Sequence, residues 1–371
     1  MPLTPRVALV ADALAFMGGA EKVLMTAMEL FPVAPVYCLI YHRAAFQNTP
    51  LASRQVVTSY LQCLPLARKH YRKYLPLMPH AIEQFDLSPF DLVISFNYAV
   101  AQGVRVQAGQ IHISYIHTPM RYAWRDFQLN GAQSAGRNLL YPFFHFFRRW
   151  DKAASDRVTR FAAVSQSIVD AVRAAYQRPS VIIHPPVEIE RFHPQLERSP
   201  YYVTVSRLVA HKRLDLVIDT FNQLKLPLLV IGEGPERARL EKRAGETIKF
   251  LGFVPDPQVA VILSQARGFI CAAEEDFGIA VVEAQAAGCP VIAFHKGGAL
   301  ETIQDGQTGL FFDRQCVESL TAAVAQFESR LNSRDNPFLN PLQIAASVQR
   351  FNRARFLEEF ARFALPEKLL L

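Results

Sequence analysis

The sequence predicts an α/β protein made of two doubly wound domains, each built on a parallel β-sheet. Its 371 residues are too many for one ordinary hydrophobic core. In both halves, short and almost continuous apolar runs alternate with helical stretches, which is typical of parallel strands that are buried on both faces. The alternation stops at residues 184–200, "HPPVEIERFHPQLERSP", whose four prolines and several charges predict a linker.

Each half contains five predicted strands. In the first half they are "RVALVAD" (6–12), "VYCLI" (36–40), "DLVISF" (91–96), "IHISYIH" (111–117) and "RFAAVS" (160–165). In the second half they are "YYVTVS" (201–206), "LLVIG" (228–232), "IKFLG" (248–252), "GFICAA" (268–273) and "PVIAF" (290–294). These runs predict a first domain over residues 1–185 and a second over residues 186–343. We expect their sheets to face each other across a cleft, with ligands bound beyond the carboxyl ends of the strands.

A C-terminal helix is predicted within residues 344–371, after the break "RDNPFLNP". Phe351, Phe356, Phe360 and Phe363 recur in this segment at helical spacing. We expect the helix to pack back onto the first domain.

The composition favours a globular protein of a reducing compartment. Apolar residues make up 50% of the chain and charged residues 20%, which is not the composition of a disordered chain. Its five cysteines lie far apart without a CxxC pair, which argues against a disulfide framework and a zinc site. The N-terminal apolar run is interpreted as a strand and not as a secretory signal, and no apolar run approaches the roughly 18 residues that span a bilayer. These features predict a cytoplasmic protein.

Charge is distributed unevenly along the chain. Residues 1–185 hold 19 Lys and Arg against 10 Asp and Glu, a net of +9, and the remainder holds 21 against 23, a net of −2. A basic half attracts nucleic acid, anionic lipid headgroups or phosphorylated substrates. Because no nucleic-acid recognition motif with interleaved aromatic residues is evident, the pattern argues against nucleic acid as the partner.

The most informative candidate site is the stretch "CAAEEDFGIAVVEAQAAGC" (271–289). Three consecutive acids, residues 274–276, follow a predicted strand, and Glu283 lies about one turn into the helix that comes next. Helix capping, worth about 0.3–1 kcal/mol, would explain one acid but not four. Carboxylates that accept hydrogen bonds from adjacent hydroxyls of a sugar or a ribose would explain the whole cluster.

Three weaker motifs follow other predicted strands. "VTVSRLVAHKRLD" places Arg207 and Lys212 at a strand-to-helix junction, where two cations suit an anion, although surface solvation would also explain them. "FMGGAEKVL" has a Gly-Gly turn that lets a ligand approach the backbone closely. "YIHTPMRYAW" has His117 at the end of a strand, where a purely structural histidine is equally expected.

Taken together, these motifs resemble family 4 of the retaining glycosyltransferases with the GT-B fold, over nearly the whole chain. The family's E-x7-E signature matches Glu275 through Glu283, its donor-phosphate motif "SR…K" matches residues 206–212, and its first Gly-rich loop matches Gly18–Gly19. "IGEGPE", "FLGFV" and "HKGGALETI" also fall where such enzymes carry them. The residue sequences "AEEDFGI" and "IHTPMRYAW" most resemble those of the bacterial branch that contains GDP-mannose-dependent O-antigen and exopolysaccharide mannosyltransferases.

The resemblance implies a role for each motif. In such enzymes the first Glu and the following backbone N–H groups hold the donor sugar and nearby phosphate, the second Glu takes the ribose hydroxyls, and the two cations neutralise the leaving diphosphate. Asp276 departs from the Gly that is commonest after the first Glu, but agrees with the mannosyltransferase-like branch. The implied catalytic residues are His117, which lies against the transferred sugar, Arg207, Lys212 and Glu275. The implied donor-binding residues are Gly18, Gly19, Ser206, Gly232, Phe253, Val254, Phe277, Gly278, Ile279 and Glu283.

The implied activity is transfer of a hexose, with mannose from GDP-mannose as the first choice. The acceptor would be a lipid-linked or saccharide molecule of polysaccharide biosynthesis, and a UDP-sugar carrying glucose, galactose or N-acetylglucosamine is the alternative donor. The chain has no DxD motif to hold Mg²⁺, and Arg207, Lys212 and a helix N-terminus can stabilise the leaving group. We therefore expect no metal and no cofactor. No nucleophile-and-acid carboxylate pair is evident, which favours same-face attack by the acceptor.

Two rival functions and a membrane role remain open at this stage. Another GT-B enzyme, such as a nucleotide-sugar epimerase, would share the layout without requiring both motifs, and a non-enzymatic nucleic-acid- or membrane-binding protein would explain the basic half. "LLYPFFHFFRRWDKAASDR" (139–157) and "LARKHYRKYLPLMPH" (66–80) combine aromatic residues with cations, as faces that dock on anionic lipid do. Ordinary helices with aromatic residues in the core would show the same pattern. Peripheral binding to the inner face of the plasma membrane is thus an open expectation.

Overall fold

The computed structural model describes residues 5–124, 137–331, 338 and 340–365, except for the side chains of residues 69 and 137–141. It divides into two compact units, Met1–Pro186 with Phe356–Leu371 and Val187–Arg355. The boundary after Pro186 falls inside the proline-containing segment 184–200. Each unit contains one sheet in which every described pair of strands is parallel, which confirms the predicted α/β class.

The first unit has a seven-stranded sheet in the order β3-β2-β1-β4-β5-β6-β7. All five predicted strands are present, and β4 is buried along its whole length. The two strands that the sequence analysis missed are short, and their side chains are half-buried in β3 and exposed in β7, so they lack an apolar signal. The strands are β1 (Val7–Ala11), β2 (Val36–Cys38), β3 (Val56–Thr58), β4 (Leu92–Asn97), β5 (Ile111–Ile116), β6 (Arg160–Ala163) and β7 (Val181–Ile182).

Helices of the first unit lie between these strands and at the end of the chain. They are α1 (Gly19–Ala27), α2 (Ala67–His70), α3 (Met78–Glu83), α4 (Arg121–Trp124), α5 (Arg137–Ser155), α6 (Gln166–Tyr176) and, from Phe356 onward, α14 (Arg353–Ala364). Phe356 and Phe360 of α14 are fully buried and pack on Tyr115 of β5, with ring centroids 5.9 Å apart in both pairs. This stripe of aromatic side chains attaches the last helix to the first unit's sheet.

The C-terminal segment is not the single helical stretch that its spacing predicts. It forms α13 (Pro341–Ser347), a short turn at Gln349–Phe351 and then α14, and the first two of these lie in the second unit. The break occurs at Asn352, which is extended, with φ −65° and ψ 162°. Its side-chain oxygen accepts a hydrogen bond from the backbone N–H of Arg355 at 2.8 Å, and so caps the new helix.

The second unit has a six-stranded sheet in the order β10-β9-β8-β11-β12-β13. All five strands predicted for this half are present, and β13 follows them. The strands are β8 (Tyr202–Val205), β9 (Leu228–Ile231), β10 (Ile248–Gly252), β11 (Gly268–Cys271), β12 (Val291–Phe294) and β13 (Gly309–Phe312). The helices are α7 (Leu214–Leu224), α8 (Arg237–Arg243), α9 (Asp256–Gln265), α10 (Ile279–Ala286), α11 (Ala299–Thr302), α12 (Val317–Leu331) and α13.

The strand order reverses between β8 and β11 in the second sheet, and between β1 and β4 in the first. Such reversals are the points at which open α/β sheets bind ligands, beyond the carboxyl ends of the strands. Within the described part of the chain, no helix combines the length and the apolar character that crossing a membrane requires.

Candidate functional site

The predicted site residues of the second unit all follow the carboxyl ends of its parallel strands. Ser206 comes directly after β8, Gly232 after β9, Phe253 after β10, and Glu275 shortly after β11. Because these strands are parallel neighbours, the four loops lie at the same edge of the sheet. The sequence motifs therefore converge on the edge where this fold binds ligands.

Lys212 and Glu275 meet where the strand order reverses. Lys212 ends the short helical turn Ala210–Lys212 after β8, and its Nζ lies 2.6 Å from both Oε1 and Oε2 of Glu275, which follows β11. The two side chains are only 21% and 20% exposed. In this structure the cation expected to meet a phosphate and the carboxylate expected to meet a sugar thus neutralise each other. Arg207, the other expected cation, has an exposed side chain.

Two glycines fix the acidic loop between β11 and α10. The backbone N–H of Gly298 donates to the carbonyl oxygen of Glu275 at 2.8 Å, and Gly297 forms an isolated parallel bridge with the same residue. A Cβ atom at Gly298 would lie 2.3 Å from Cα of Phe277, so only glycine permits this approach. Phe277 is buried, and its ring packs edge-on against Phe351 at 5.3 Å.

The loop ends at Gly278, whose φ of +89° lets the chain turn into α10. The first N–H groups of a helix have no partner within the helix, and they favour an anion. Ile279 begins α10, so the backbone of residues 277–279 is suited to phosphate oxygens. The structure places the acids, a cation and a helix N-terminus in one continuous region.

The loops after β8 and β9 run against each other, backbone to backbone. Ser206 N–H donates to the carbonyl oxygen of Ile231 at 3.0 Å, and Leu208 N–H to that of Glu233 at 3.0 Å. Gly232 has a φ of +131°, and a Cβ there would lie 1.9 Å from the carbonyl oxygen of Ser206. Its glycine is therefore required by close packing, whatever else it does. After β10, the Phe253 side chain is 78% exposed, and that of the next residue, Val254, is half-buried.

Glu283, the second acid of the signature, is paired with an arginine that the sequence analysis did not identify. Arg191 Nη2 lies 2.5 Å from Glu283 Oε1, and Arg191 Nη1 lies 2.6 Å from Asp256 Oδ2. Arg191 belongs to the segment interpreted as a linker, and no motif pointed to it. The one available signal was an arginine between Glu190 and Phe192, in "EIERFHP".

In the first unit, Gly18 directly precedes α1, and Gly19 is the first residue of that helix. Gly18 is extended and caps α1, and a Cβ there would lie 2.8 Å from Oε2 of Glu21, a buried carboxylate in the first turn of that helix. Asp12 at the end of β1, another residue that the sequence analysis missed, accepts hydrogen bonds of 2.5–3.0 Å from four consecutive backbone N–H groups, residues 98–101. Burial raises the pKa of Asp12 to about 6, and these hydrogen bonds oppose the shift. Asp12 fixes the loop after β4 to the end of β1.

His117 follows β5, as its motif predicts. Its N–H donates to the carbonyl oxygen of Asn97 at 2.9 Å, and its ring meets that of Tyr115 edge-on at 5.3 Å. Burial lowers the pKa of His117 to about 4, so the imidazole is neutral near pH 7. Its Nε2 is buried, and within the described chain it has no hydrogen-bond partner. A ring nitrogen of a neutral imidazole can donate or accept one hydrogen bond with a ligand, according to the tautomer.

A buried polar network holds the segment that follows His117. The Asp151 carboxylate, which is fully buried, accepts hydrogen bonds from Trp124 Nε1 at 2.8 Å, Tyr176 OH at 2.7 Å and Gln102 Nε2 at 2.7 Å. Burial raises the pKa of Asp151 to about 6, against the effect of these donors. Trp124 closes the motif "YIHTPMRYAW", so Asp151 anchors the end of that motif in the core.

Comparison with known protein families identifies both halves of the chain. The family described as "Glycosyltransferase Family 4" matches residues 17–191, and the family described as "Glycosyl transferases group 1" matches residues 187–337.

The curated relatives that match the chain include a mannosyltransferase and a glycogen synthase. The chain is 30% identical over 172 residues to the GDP-mannose-dependent alpha-(1-6)-phosphatidylinositol monomannoside mannosyltransferase of Mycobacterium tuberculosis, a match that covers 38% of this chain and 45% of the relative. It is 27% identical over 224 residues to the glycogen synthase of Pseudomonas savastanoi pv. phaseolicola, covering 57% of this chain and 43% of the relative. The chain thus matches slightly less than half the length of these relatives.

Solved structures share the fold over almost the entire chain. The sucrose-phosphate synthase of Thermosynechococcus elongatus superposes with a TM-score of 0.75 at 18% identity, covering 96% of this chain and 98% of that one. Anabaena Alr3699/HepE in complex with UDP and glucose superposes with a TM-score of 0.70 at 17% identity, covering 97% and 99%. At these identities the likeness shows the fold alone.

Proposed function

The chain belongs to the family 4 glycosyltransferases of GT-B fold, and we propose that it transfers a hexose from a nucleotide sugar to an acceptor hydroxyl. The observation that carries the proposal is the meeting of Lys212 and Glu275 at the switch point of the second sheet, beside the N-terminus of α10. These groups are what a sugar diphosphate needs, because its phosphates require positive charge and its hydroxyls require acceptors.

The proposed mechanism follows from the charges at this edge. When the donor binds, Lys212 turns from Glu275 to the phosphates, and the Glu275 carboxylate accepts hydrogen bonds from the sugar. Arg207, Lys212 and the first N–H groups of α10 then stabilise the charge that develops on the leaving diphosphate. We propose that the acceptor attacks from the same face, so that the configuration is retained, and that the phosphate takes its proton. His117 remains a prediction for contact with the transferred sugar.

As the donor we propose GDP-mannose. Two relatives support this choice by the activity for which they are named, the mannosyltransferase of Mycobacterium tuberculosis and the GDP-mannose-dependent alpha-mannosyltransferase of Corynebacterium glutamicum, which is 26% identical over 214 residues. Asp276, after the first Glu, agrees with that branch. A UDP-sugar is the second candidate, and the match to a glycogen synthase shows that mannosyl transfer is not the only activity named among the relatives.

A panel of sugar nucleotides tests this proposal directly. GDP-mannose, UDP-glucose, UDP-galactose and UDP-N-acetylglucosamine are titrated into the protein by calorimetry, and release of the nucleoside diphosphate is followed with lipid-linked and saccharide acceptors. We expect GDP-mannose to bind most tightly and to release GDP. Preference for a UDP-sugar would transfer the proposal to the second candidate. If none of the four binds or turns over, the proposed function is wrong.

As the acceptor we propose a lipid-linked sugar, reached from an anionic membrane surface. In the stretch 66–80, Arg72 and Lys73 are exposed, and Leu66 and Leu77 are 70% and 43% exposed. In the stretch 139–157, Phe146 is 54% exposed but Phe147 is buried in the core. Tyr141, which was part of the expected aromatic face, has a side chain outside the described residues. The two stretches therefore supply both core side chains and exposed cations with apolar neighbours.

Liposome sedimentation tests the membrane proposal. Each cation near an anionic surface contributes about 1 kcal/mol, so binding should need anionic lipid, fall steeply with added salt, and weaken when Arg68, Lys69, Arg72 and Lys73 are neutralised. A charge-matched control neutralises four exposed cations of the second unit, namely Arg239, Lys242, Arg243 and Lys249. Equal recovery in the supernatant with neutral and anionic vesicles at low salt would contradict the proposal, as would an equal effect of the control.

A further inference from the structure

We propose that Arg191 is a positioning residue, which holds Glu283 and Asp256 in the arrangement that binds the nucleoside of the donor. The inference deepens the proposed function and depends on it. Arg191 is not one of the family's signature residues quoted above, and the contacts of its guanidinium alone point to this role.

One guanidinium joins two carboxylates that belong to different helices. Arg191 ends the short turn Ile189–Arg191, its Nη1 lies 2.6 Å from Asp256 Oδ2 at the start of α9, and its Nη2 lies 2.5 Å from Glu283 Oε1 on α10. The Arg191 side chain is 20% exposed, and that of Glu283 is 12% exposed. A planar fork with permanent charge can bind two acceptors in a fixed geometry, which a lysine cannot do.

The two carboxylates flank the region expected to bind the nucleoside. Asp256 is the first residue of α9 and lies two residues beyond Val254. The family resemblance implies that backbone groups near Phe253 and Val254 read the base. Glu283 is the acid expected to receive the ribose hydroxyls. Arg191 therefore connects Asp256, next to the loop expected to read the base, with Glu283, the acid expected to bind the ribose. It fixes the relative position of these two residues within the second unit.

Arg191 is itself held in place by its neighbour. The guanidinium carbon lies 4.6 Å from the ring centroid of Phe192, which is buried, so the side chain has a packed support. Its Nε is buried and has no hydrogen-bond partner among the described residues. Buried donors of this kind are rare and call for an explanation. The two short contacts through Nη1 and Nη2 supply one, because they draw the guanidinium toward the carboxylates at the expense of Nε.

Positioning of Glu283 has a measurable consequence for binding. A carboxylate has about four lone-pair sites, so the contact of Arg191 with one oxygen is compatible with acceptance of hydrogen bonds from the 2′- and 3′-hydroxyls. Without Arg191, a ligand would have to order the Glu283 side chain when it binds, and affinity would fall. The loss should appear only for ligands that carry the ribose hydroxyls.

Calorimetric titration of GDP and of 2′,3′-dideoxy-GDP tests the inference, with UDP and its dideoxy form in their place if the donor panel selects a UDP-sugar. The proteins are wild type, Arg191→Gln, Glu283→Gln and the double variant, with Arg243→Gln as a control that removes an exposed Arg243–Asp219 pair of the same unit. We expect Arg191→Gln to lower the affinity for GDP about tenfold and the affinity for dideoxy-GDP less than twofold. The double variant should be no weaker than the weaker single variant, because both substitutions remove the same contribution.

Other outcomes overturn the inference in distinguishable ways. If Arg191→Gln weakens both nucleotides equally, or if the two substitutions add, Arg191 supports the fold and does not position Glu283. If wild type binds neither nucleoside diphosphate, the proposed function itself is wrong, and the inference falls with it. If Arg191→Gln does not fold, the Asp256→Asn variant is titrated in its place, because Asp256 is exposed. We then expect GDP to bind about threefold more weakly and the binding of dideoxy-GDP to be unchanged. Equal binding of GDP to Asp256→Asn and to wild type refutes the inference.

Discussion

Replacing Gly298 by alanine tests whether the acidic loop must stand where the structure places it. Gly298 has φ −64° and ψ −17°, a conformation that alanine adopts without strain, so the substitution acts through the added methyl group alone. That Cβ would lie 2.3 Å from Cα, 2.5 Å from the carbonyl oxygen and 2.6 Å from the carbonyl carbon of Phe277. All three atoms are backbone, so no side-chain rotation relieves the clash.

The size of the effect follows from these distances. Ordinary van der Waals contact of a Cβ begins near 3.4 Å, so the backbone at Phe277 has to withdraw by about 1 Å. Overpacking of this kind costs about 1–3 kcal/mol. For a unit of the size of Val187–Arg355, each kcal/mol lowers the melting temperature by about 2–4 °C, so we expect a fall of about 2–12 °C. A displacement of about 1 Å at a reacting centre lowers turnover about 100-fold.

Thermal melting and kinetics with the selected donor measure the two effects on Gly298→Ala. Gly245→Ala is the matched control in the same unit, because its Cβ would meet only the side chain of Asn222, which can move. We expect the control to bind and turn over the donor normally. If Gly298→Ala also melts and turns over like wild type, the argument that this glycine fixes the position of Glu275 and Phe277 is refuted.

Three further predictions concern charge, metal and pH. Arg207→Ala should lower kcat about 10²–10³-fold and leave the melting temperature unchanged, because the Arg207 side chain is exposed. Lys212→Ala should lower both kcat and the melting temperature, because Glu275 then stays mostly buried without its cation. Near-normal kcat in both variants would contradict the assignment of these cations to the leaving diphosphate. Transfer should persist in excess EDTA, because the chain lacks a DxD motif, and activity that chelation abolishes and Mg²⁺ or Mn²⁺ restores would reverse this expectation. Asp151→Asn should lower the melting temperature, and by more at pH 4 than at pH 7. The folded-state pKa of about 6, raised above the ordinary value, adds stability that wild type loses as the pH rises through 4 to 6, and asparagine cannot supply it. A difference that grows with pH would show instead that the folded-state pKa of Asp151 lies below the ordinary value.

The strands that are buried on both faces were the easiest elements to predict, because burial leaves a continuous apolar run. The wholly buried β4 and β11 show this. In β3 and β7 the side chains are half-buried or exposed, so their pairing rests on backbone hydrogen bonds that composition does not reveal. The break at Asn352 was missed for a related reason. The phenylalanine spacing continues across it, and only the capping bond to Arg355 marks the new start.

Residues of the candidate site were predictable where several charges lie close together in the sequence. They were missed where a single polar residue pairs with a partner far away in the sequence. Four acids in ten residues form a local pattern, and the structure sets Glu275 at the sheet edge as that pattern implied. Arg191 is 92 residues from Glu283, and only the folded second unit brings them together. Asp12 is likewise more than 80 residues from the backbone that it binds. Long-range pairing of single polar residues leaves no periodicity for a sequence to show.

The ion pair between Lys212 and Glu275 bears on how the proposed site would distinguish its ligands. Both groups are about four-fifths buried, so each needs a partner of opposite charge or a hydrogen-bonding ligand. A sugar diphosphate supplies phosphate oxygens to the lysine and hydroxyls to the carboxylate, and can replace the pair on both sides. A free nucleoside diphosphate supplies phosphate oxygens to Lys212 but no sugar hydroxyls to Glu275. The Glu275 carboxylate is then left without compensation if Lys212 moves. In the proposed site the pair would therefore favour the intact donor over the product diphosphate, and its re-formation after transfer would assist release of that product.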